Sequence, residues 1–318
     1  MTASGLDRGP LDRSALATWR AAIPDSIRFG TSSWTYPGWE GLVYHRPYPA
    51  RGAAAALLDE YTRFPLFTTI GIDSTFYRPP SAQTFASYAK HLPPGFPCVS
   101  KVWDRITVHT WSGKRGHEPK GEANSDFLSV DRFLEEVHGP AMAHFRDHQA
   151  VFVFEFQQIA ADDMTPERFA GQLDHFFTHI PHDVAYAVEV RNPEFLHPAY
   201  FAVLREHGVA HLFNSWTRMP AIGAQLDLAD VITAGFVIAR ALLRPGRTYN
   251  EAVDAFAPYD TIREPQPALR RDLVRLARTA RDLRIPAWIL VNNRAEGSAP
   301  RTIAAVARTL AEEGSVSR

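Results

Sequence analysis

The chain has 318 residues, a formal net charge of −1, 45% hydrophobic residues and one cysteine, Cys98. That length supports a large core, and a lone cysteine excludes an intramolecular disulfide and any cysteine-built zinc or iron–sulfur centre. Near-neutral charge disfavours nucleic-acid and anionic-membrane binding, and with no signal-peptide-like opening or membrane-length apolar run a cytoplasmic protein is expected.

Residues 1–25 read as a polar N-terminal extension with a short helix at Ser14–Ala22, and residues 26–318 as one domain. From there a strand-then-helix rhythm begins. Ile27–Thr31 is extended, and an Ala-rich helical stretch runs from Gly52 to Arg63. Leu66–Asp73 reads as a strand, and Ser81 is the N-cap of a helix to His91. Phe96–Trp103 and Ala150–Phe156 are strands three and four, and Thr165-Pro166 opens a helix to His179. Val184–Arg191, Val209–Phe213, Gly235–Arg240 and Ile285–Val291 complete eight strands. Between them lie a helix from Pro198 that stops at Gly208 and a long helix at Pro267–Leu283; a last helix covers Thr302–Glu313. Eight such units predict an α/β fold, a single (β/α)8 TIM-type barrel, ahead of an open doubly wound sheet. Two connections, Asp104–Asp126 and Ala241–Gln266, exceed ordinary barrel loops and follow strands three and seven.

In such a barrel, polar side chains at the C-terminal strand ends converge on one mouth. Asp73, Lys101, Glu155, Glu189, Arg191, Arg240, Asn292 and Asn293 all stand at such ends. Alternation puts Glu189 and Arg191 on one face of their strand, where they are either a structural ion pair or a site. Lys101 is the sharper signal. Lysine occupies only positions 90, 101, 114 and 120, so 30 of the 34 basic residues are arginine. A purely structural cation could have been either, whereas lysine suits acid–base or Schiff-base work. Asp73 either caps a turn or belongs to the site, and Asn292-Asn293 either turn a loop or bind hydroxyls. Among Arg240, Arg244 and Arg247, only Arg240 is expected to hold an anion. Trp34, Tyr36, Trp39 and Tyr44 form either a packed lid or a stacking surface. His175 and His179 have helical spacing but lack the glutamate of a zinc helix, and no phosphate-binding, dinucleotide-binding or nucleophile-elbow motif occurs.

The motifs GTSSWTYPGW (30–39), IDSTFYRPPS (72–81), Lys101 with Ile106-Thr107 and His109, AVEVRNPEF (187–195) and VNNRAEGSAP (291–300) occur in that order. Together they resemble the YecE-like family, catalogued as domain of unknown function 72, over about residues 27–312. The resemblance implies a TIM-type barrel and no assigned activity. It places Trp34, Tyr77, Lys101, His109, Glu189, Arg191, Arg240, Asn292 and Asn293 among the family's recurring polar and aromatic positions. This chain departs from the pattern in carrying Gly71-Ile72-Asp73 in place of Glu-Ile-Asn, and Glu155-Phe156-Gln157-Gln158 in place of Gln-x-Pro-Pro. Val108 splits the family's Thr-His pair, and Arg240-Ala241-Leu242-Leu243 replaces Arg-x-His-Gly.

These readings predict an enzyme acting on a polar or anionic small molecule, phosphorylated or hydroxyl-rich, with Lys101, Glu189 and Asp73 catalytic. Arg191, Arg240, Asn292, Asn293, Trp34, Tyr77 and His109 would contact substrate. No cofactor is expected. The alternatives are a metal-dependent hydrolase or isomerase, acting on a sugar or abasic nucleic acid and gathering Asp73, Glu155, Glu189 and His109 around a divalent ion, and a non-catalytic ligand or nucleic-acid binding protein.

Overall fold

The computed structural model describes residues 3–49, 52–113 and 119–316. Eight parallel strands form a nearly closed barrel: β1 (Ile27–Thr31), β2 (Ile70–Ile72), β3 (Cys98–Lys101), β4 (Gln149–Phe156), β5 (Ala185–Val190), β6 (Ala210–Asn214), β7 (Val237–Ala241) and β8 (Ala287–Val291). Pairing runs β1-β8-β7-β6-β5-β4-β3-β2. The expected (β/α)8 architecture is therefore the observed one, with every strand in its anticipated stretch of sequence.

Alternation sorts the strands into two cores. Val99, Val151, Val153, Ala187, Ala210, Leu212, Phe236, Ile238 and Leu290 form one buried apolar cluster, the filling of the barrel. The intervening residues turn outward. On β4, Phe152 and Phe154 meet Phe133 of the surrounding helical layer, and Phe156 meets Phe169. Both faces of β4 are thus buried, which accounts for its almost unbroken apolar run.

Between β1 and β2 no regular ladder forms, and backbone bonds at one point and a buried hydroxyl at another hold the seam. Thr68 N donates to Phe29 O at 2.8 Å. The buried Tyr61 hydroxyl accepts from Thr31 N at 2.9 Å and donates to Thr69 O at 3.0 Å. This seam needs one strand position without a side chain, because a Cβ on Gly30 would stand 2.2 Å from Thr69 O.

Ser81 and Thr165 cap the helices Ala82–His91 and Pro166–Thr178 through Thr84 N and Arg168 N. Several elements add to the expected ones. A helical stretch from Val130 to His144, with a π turn at Leu134–His138, lies between β3 and β4; Pro140 lacks the N–H that a regular turn would use there. The 241–266 connection is not structureless. It holds the helix Tyr249–Phe256, whose Thr248–Glu251 capping box is closed in both directions. Residues expected as an N-terminal extension form the helices Ala3–Arg8 and Arg13–Ala22. Leu6 and Leu16 are buried, and Arg301 Nη1 donates to Leu6 O at 2.9 Å and Gly9 O at 2.7 Å. No helix among the described residues is long and apolar enough to cross a membrane.

The seam makes a direct prediction. Tyr61→Phe leaves Thr31 N and Thr69 O without their shared partner and should cost about 1–3 kcal/mol, while Gly30→Ala should cost at least as much through backbone displacement. Urea unfolding of each variant measures both, and stability within 0.5 kcal/mol of the parent (roughly the scatter of neutral surface changes) would contradict this account of closure.

Candidate functional site

The parallel sheet delivers all eight C-terminal strand ends to one side of the barrel, and six ionisable side chains meet there. Asp73 follows β2 in a short 3-10 turn, Asp73–Phe76, that is fixed to its neighbour by Thr75: the hydroxyl lies 2.7 Å from Ile72 O and 2.6 Å from Lys101 O. Lys101 ends β3. Glu155 and Glu189 occupy paired positions on β4 and β5, Arg191 follows β5, and Arg240 comes from β7.

Glu155 is the hub. Its Oε2 lies 2.7 Å from Lys101 Nζ, 2.7 Å from Arg240 Nη1 and 3.1 Å from Arg191 Nη2. Glu189 takes Arg191 Nη2 at 2.6 Å on one oxygen and Arg240 Nη1 at 2.5 Å on the other. Asp73 faces Arg240 Nη2 at 3.1 and 3.2 Å and Lys101 Nζ at 3.4 Å. Three cations thus balance three carboxylates. Burial pushes the Glu155 carboxyl up, but Lys101, Arg191 and Arg240 outweigh it and hold the group well below the ordinary carboxylate range. For Arg240 burial is likewise overcome, by Asp73, Glu189 and Glu155, which keep the guanidinium charged.

Access is graded across the network. The side chains of Glu189, Arg191, Arg240 and Glu155 are between 0% and 5% exposed, whereas Lys101 is 11% and Asp73 23% exposed. The Lys101–Asp73 edge therefore faces the outside. Around it, Lys101 Nζ stands 5.0 Å over Phe76, the Arg191 guanidinium lies 3.8 Å over Trp216, and Arg294 lies 4.3 Å over Tyr249. Tyr36 packs against Tyr259, and its buried hydroxyl is raised above the usual phenol range, mainly by desolvation.

The structure gathers Lys101, Glu155, Glu189, Asp73, Arg191 and Arg240, and the remaining candidates make the contacts that follow. Trp34 is buried and donates its indole N–H to Ala54 O at 2.7 Å; it is part of a packed wall. Tyr77 is 62% exposed and packs edge-on against Phe76. His109 lies in the loop after β3, beside Thr110 and Phe127, and burial lowers its pKa. Asn292 and Asn293 turn the chain out of β8: their side chains accept from Arg294 N at 3.0 Å and Ala299 N at 2.8 Å. Arg244 and Arg247 both pair with Glu264, away from the network. Lys114, His117 and Glu118 of the long 104–126 connection lie outside the described residues.

Glu155 carries a sequence signal of its own: a single charge in an otherwise apolar run, at the inward parity of Val151 and Val153. A divalent ion does not fit these residues as arranged. Cations already occupy the space between the three carboxylates, His109 stands elsewhere, and among the described residues no three metal-ligating side chains are arranged to hold an ion.

A family model described as "Protein of unknown function DUF72" matches residues 28–317. The chain belongs to the DUF72 family. Solved structures agree at the level of fold. A DUF72 family protein from Thermotoga maritima is 16% identical with a TM-score of 0.58, covering 90% of this chain and 99% of that one. Another from Enterococcus faecalis is 17% identical with a TM-score of 0.59, covering 89% and 95%. No curated protein matches the chain.

In this DUF72 protein the network should dominate acid stability. A carboxyl whose folded pKa is depressed stabilises fully above its unfolded pKa, near 4.5, and loses that contribution as pH falls toward the folded value. Glu155→Gln leaves three buried cations with two carboxylates and should cost on the order of 3–5 kcal/mol at neutral pH. Urea unfolding at pH 7 and in steps below pH 4.5 (~ the unfolded carboxyl range) should show the variant's deficit shrinking with acidification. A deficit independent of pH would contradict the assignment.

Proposed function

We propose that the barrel mouth is the active site of an enzyme acting on a small polar carbonyl or phosphorylated compound, and that Lys101 and Asp73 do its acid–base work. The observation that carries this reading is the access gradient: of six charges in one buried network, only this lysine and this carboxylate reach the outside. Lys101 Nζ, held between Glu155 and Asp73, is placed as a donor to a carbonyl or phosphoryl oxygen that gains charge in the reaction. Asp73, gripped by Arg240 through both oxygens, is the adjacent acceptor for a proton on the neighbouring carbon or hydroxyl.

Glu189 then acts from behind. Fully buried between Arg191 and Arg240, it fixes the two guanidinium groups rather than touching substrate. Arg240 likewise positions Asp73, while Arg191 remains the candidate for substrate contact. Retaining one lysine here, in a chain that elsewhere prefers arginine, fits a compact donor on a flexible stem better than a planar fork.

The test is deuterium exchange, followed by proton NMR, into a panel of hydroxyaldehydes and hydroxyketones with and without phosphate. The parent protein should wash deuterium into the position next to the carbonyl of at least one member. Lys101→Met and Asp73→Asn should each lower that rate by about 10²–10⁴-fold, the usual contribution of a positioned acid or base, with Lys101→Arg failing to restore it. Exchange that persists in Lys101→Met would overturn the assignment.

A further inference from the structure

Arg191 has capacity that the ion network does not use. Its Nη2 faces Glu189 and Glu155, but Nε and Nη1 are buried and have no hydrogen-bond partner among the described residues. Arginine carries five N–H donors, and buried donors are almost always paired. Asn214, at the end of the adjoining strand β6, is in the converse state. It is fully buried and donates from Nδ2 to the carbonyl of Val190, the residue before Arg191, at 3.1 Å, while its Oδ1 is buried without a donor. Trp216, partly exposed in the loop after β6, stacks on the Arg191 guanidinium and screens it from water.

One corner of the mouth, between β5 and β6, therefore holds unpaired cationic donors, an unpaired neutral acceptor and an aromatic face. The barrel filling below it is satisfied by apolar packing and asks for neither group. A simple anion would answer Arg191 and leave Asn214 unanswered; a neutral alcohol would do the reverse. We infer that this corner is the anchoring subsite for a small molecule bearing an oxyanion beside a hydroxyl group. The oxyanion takes Arg191 Nη1, and the hydroxyl donates to Asn214 Oδ1. The inference rests on the barrel mouth being the active site and narrows its substrate class to hydroxy acids and phosphorylated polyols. Carboxylate and phosphate share the recognising chemistry, and the ligand panel separates them.

Calorimetric titration of the full chain with glycolate, acetate, glycerol phosphate, sulfate and glycerol tests it. Glycolate or glycerol phosphate should bind about tenfold or more tightly than acetate or sulfate, since the latter pair carries no O–H and leaves the Asn214 acceptor unpaired; glycerol should not bind. Whichever hydroxylated anion wins identifies the oxyanion. Arg191→Lys should abolish this binding. Asn214→Asp, which replaces the neutral acceptor with a carboxylate that repels the anion, should abolish it while keeping the fold by circular dichroism, and it serves if Arg191→Lys fails to fold. Titration reports on this subsite and deuterium exchange on Lys101, which separates the two readings: binding of the hydroxylated anion with no exchange by the parent keeps the subsite and overturns the acid–base reading. Equal affinity for glycolate and acetate, binding unchanged by Asn214→Asp, or no anion binding at millimolar concentration would each overturn the subsite, and in the last case deuterium exchange still judges Lys101 on its own.

Discussion

The mouth of this barrel is organised by one carboxylate among three cations. Glu155 is buried, and an isolated charge in that position would be expelled or neutralised. It remains ionised because Lys101, Arg191 and Arg240 converge on a single oxygen within 3.1 Å. Each of those cations in turn reaches a second carboxylate, so no member is held by one contact. Buried ion networks are poor sources of net stability compared with well-packed apolar groups, whereas breaking one is strongly destabilising. Such an arrangement fixes geometry rather than adding stability. What it fixes is the Lys101–Asp73 edge that faces outward.

The barrel makes this possible through two elementary rules. The two-residue period of a strand stacks Val151, Val153 and Glu155 along one line, so apolar filling passes directly into the charged layer. Parallel strand direction then puts every such layer on the same side. The seam between β1 and β2 is the weak point of closure, and it is met by a tyrosine hydroxyl and by glycine rather than by a full ladder. Gly71, beside Ser32, stands at the same seam, where a side chain would press on the β1 backbone at about 3.0 Å.

Much of this was legible in the sequence. Eight extended runs separated by helical stretches specify the barrel, and Asp73, Lys101, Glu189, Arg191 and Arg240 are readable as strand ends facing one mouth. What was not legible depends on contacts between distant residues. The parity of Glu155 was visible, but its pairing with Glu189 depends on the register between two strands, which neither strand encodes alone. Tyr61 reads as one aromatic in a helix until Thr31 and Thr69 are brought to its hydroxyl. His109 and Trp34 carry recurring motifs, and the partners the fold gives them, Phe127 and Ala54, lie about twenty positions onward. Arg244 and Arg247, after β7, are not expected to hold an anion, and their partner Glu264 lies seventeen to twenty positions onward.

Glu155 is held ionised by its three cations, Lys101 among them. Carbon-detected NMR titration of the Glu155 carboxyl, in the parent and in Lys101→Met, measures this. The parent pKa should lie well below 4.5, with a clear upward move when Lys101 is removed. A Glu155 pKa at or above the ordinary value, or one indifferent to Lys101, would contradict it.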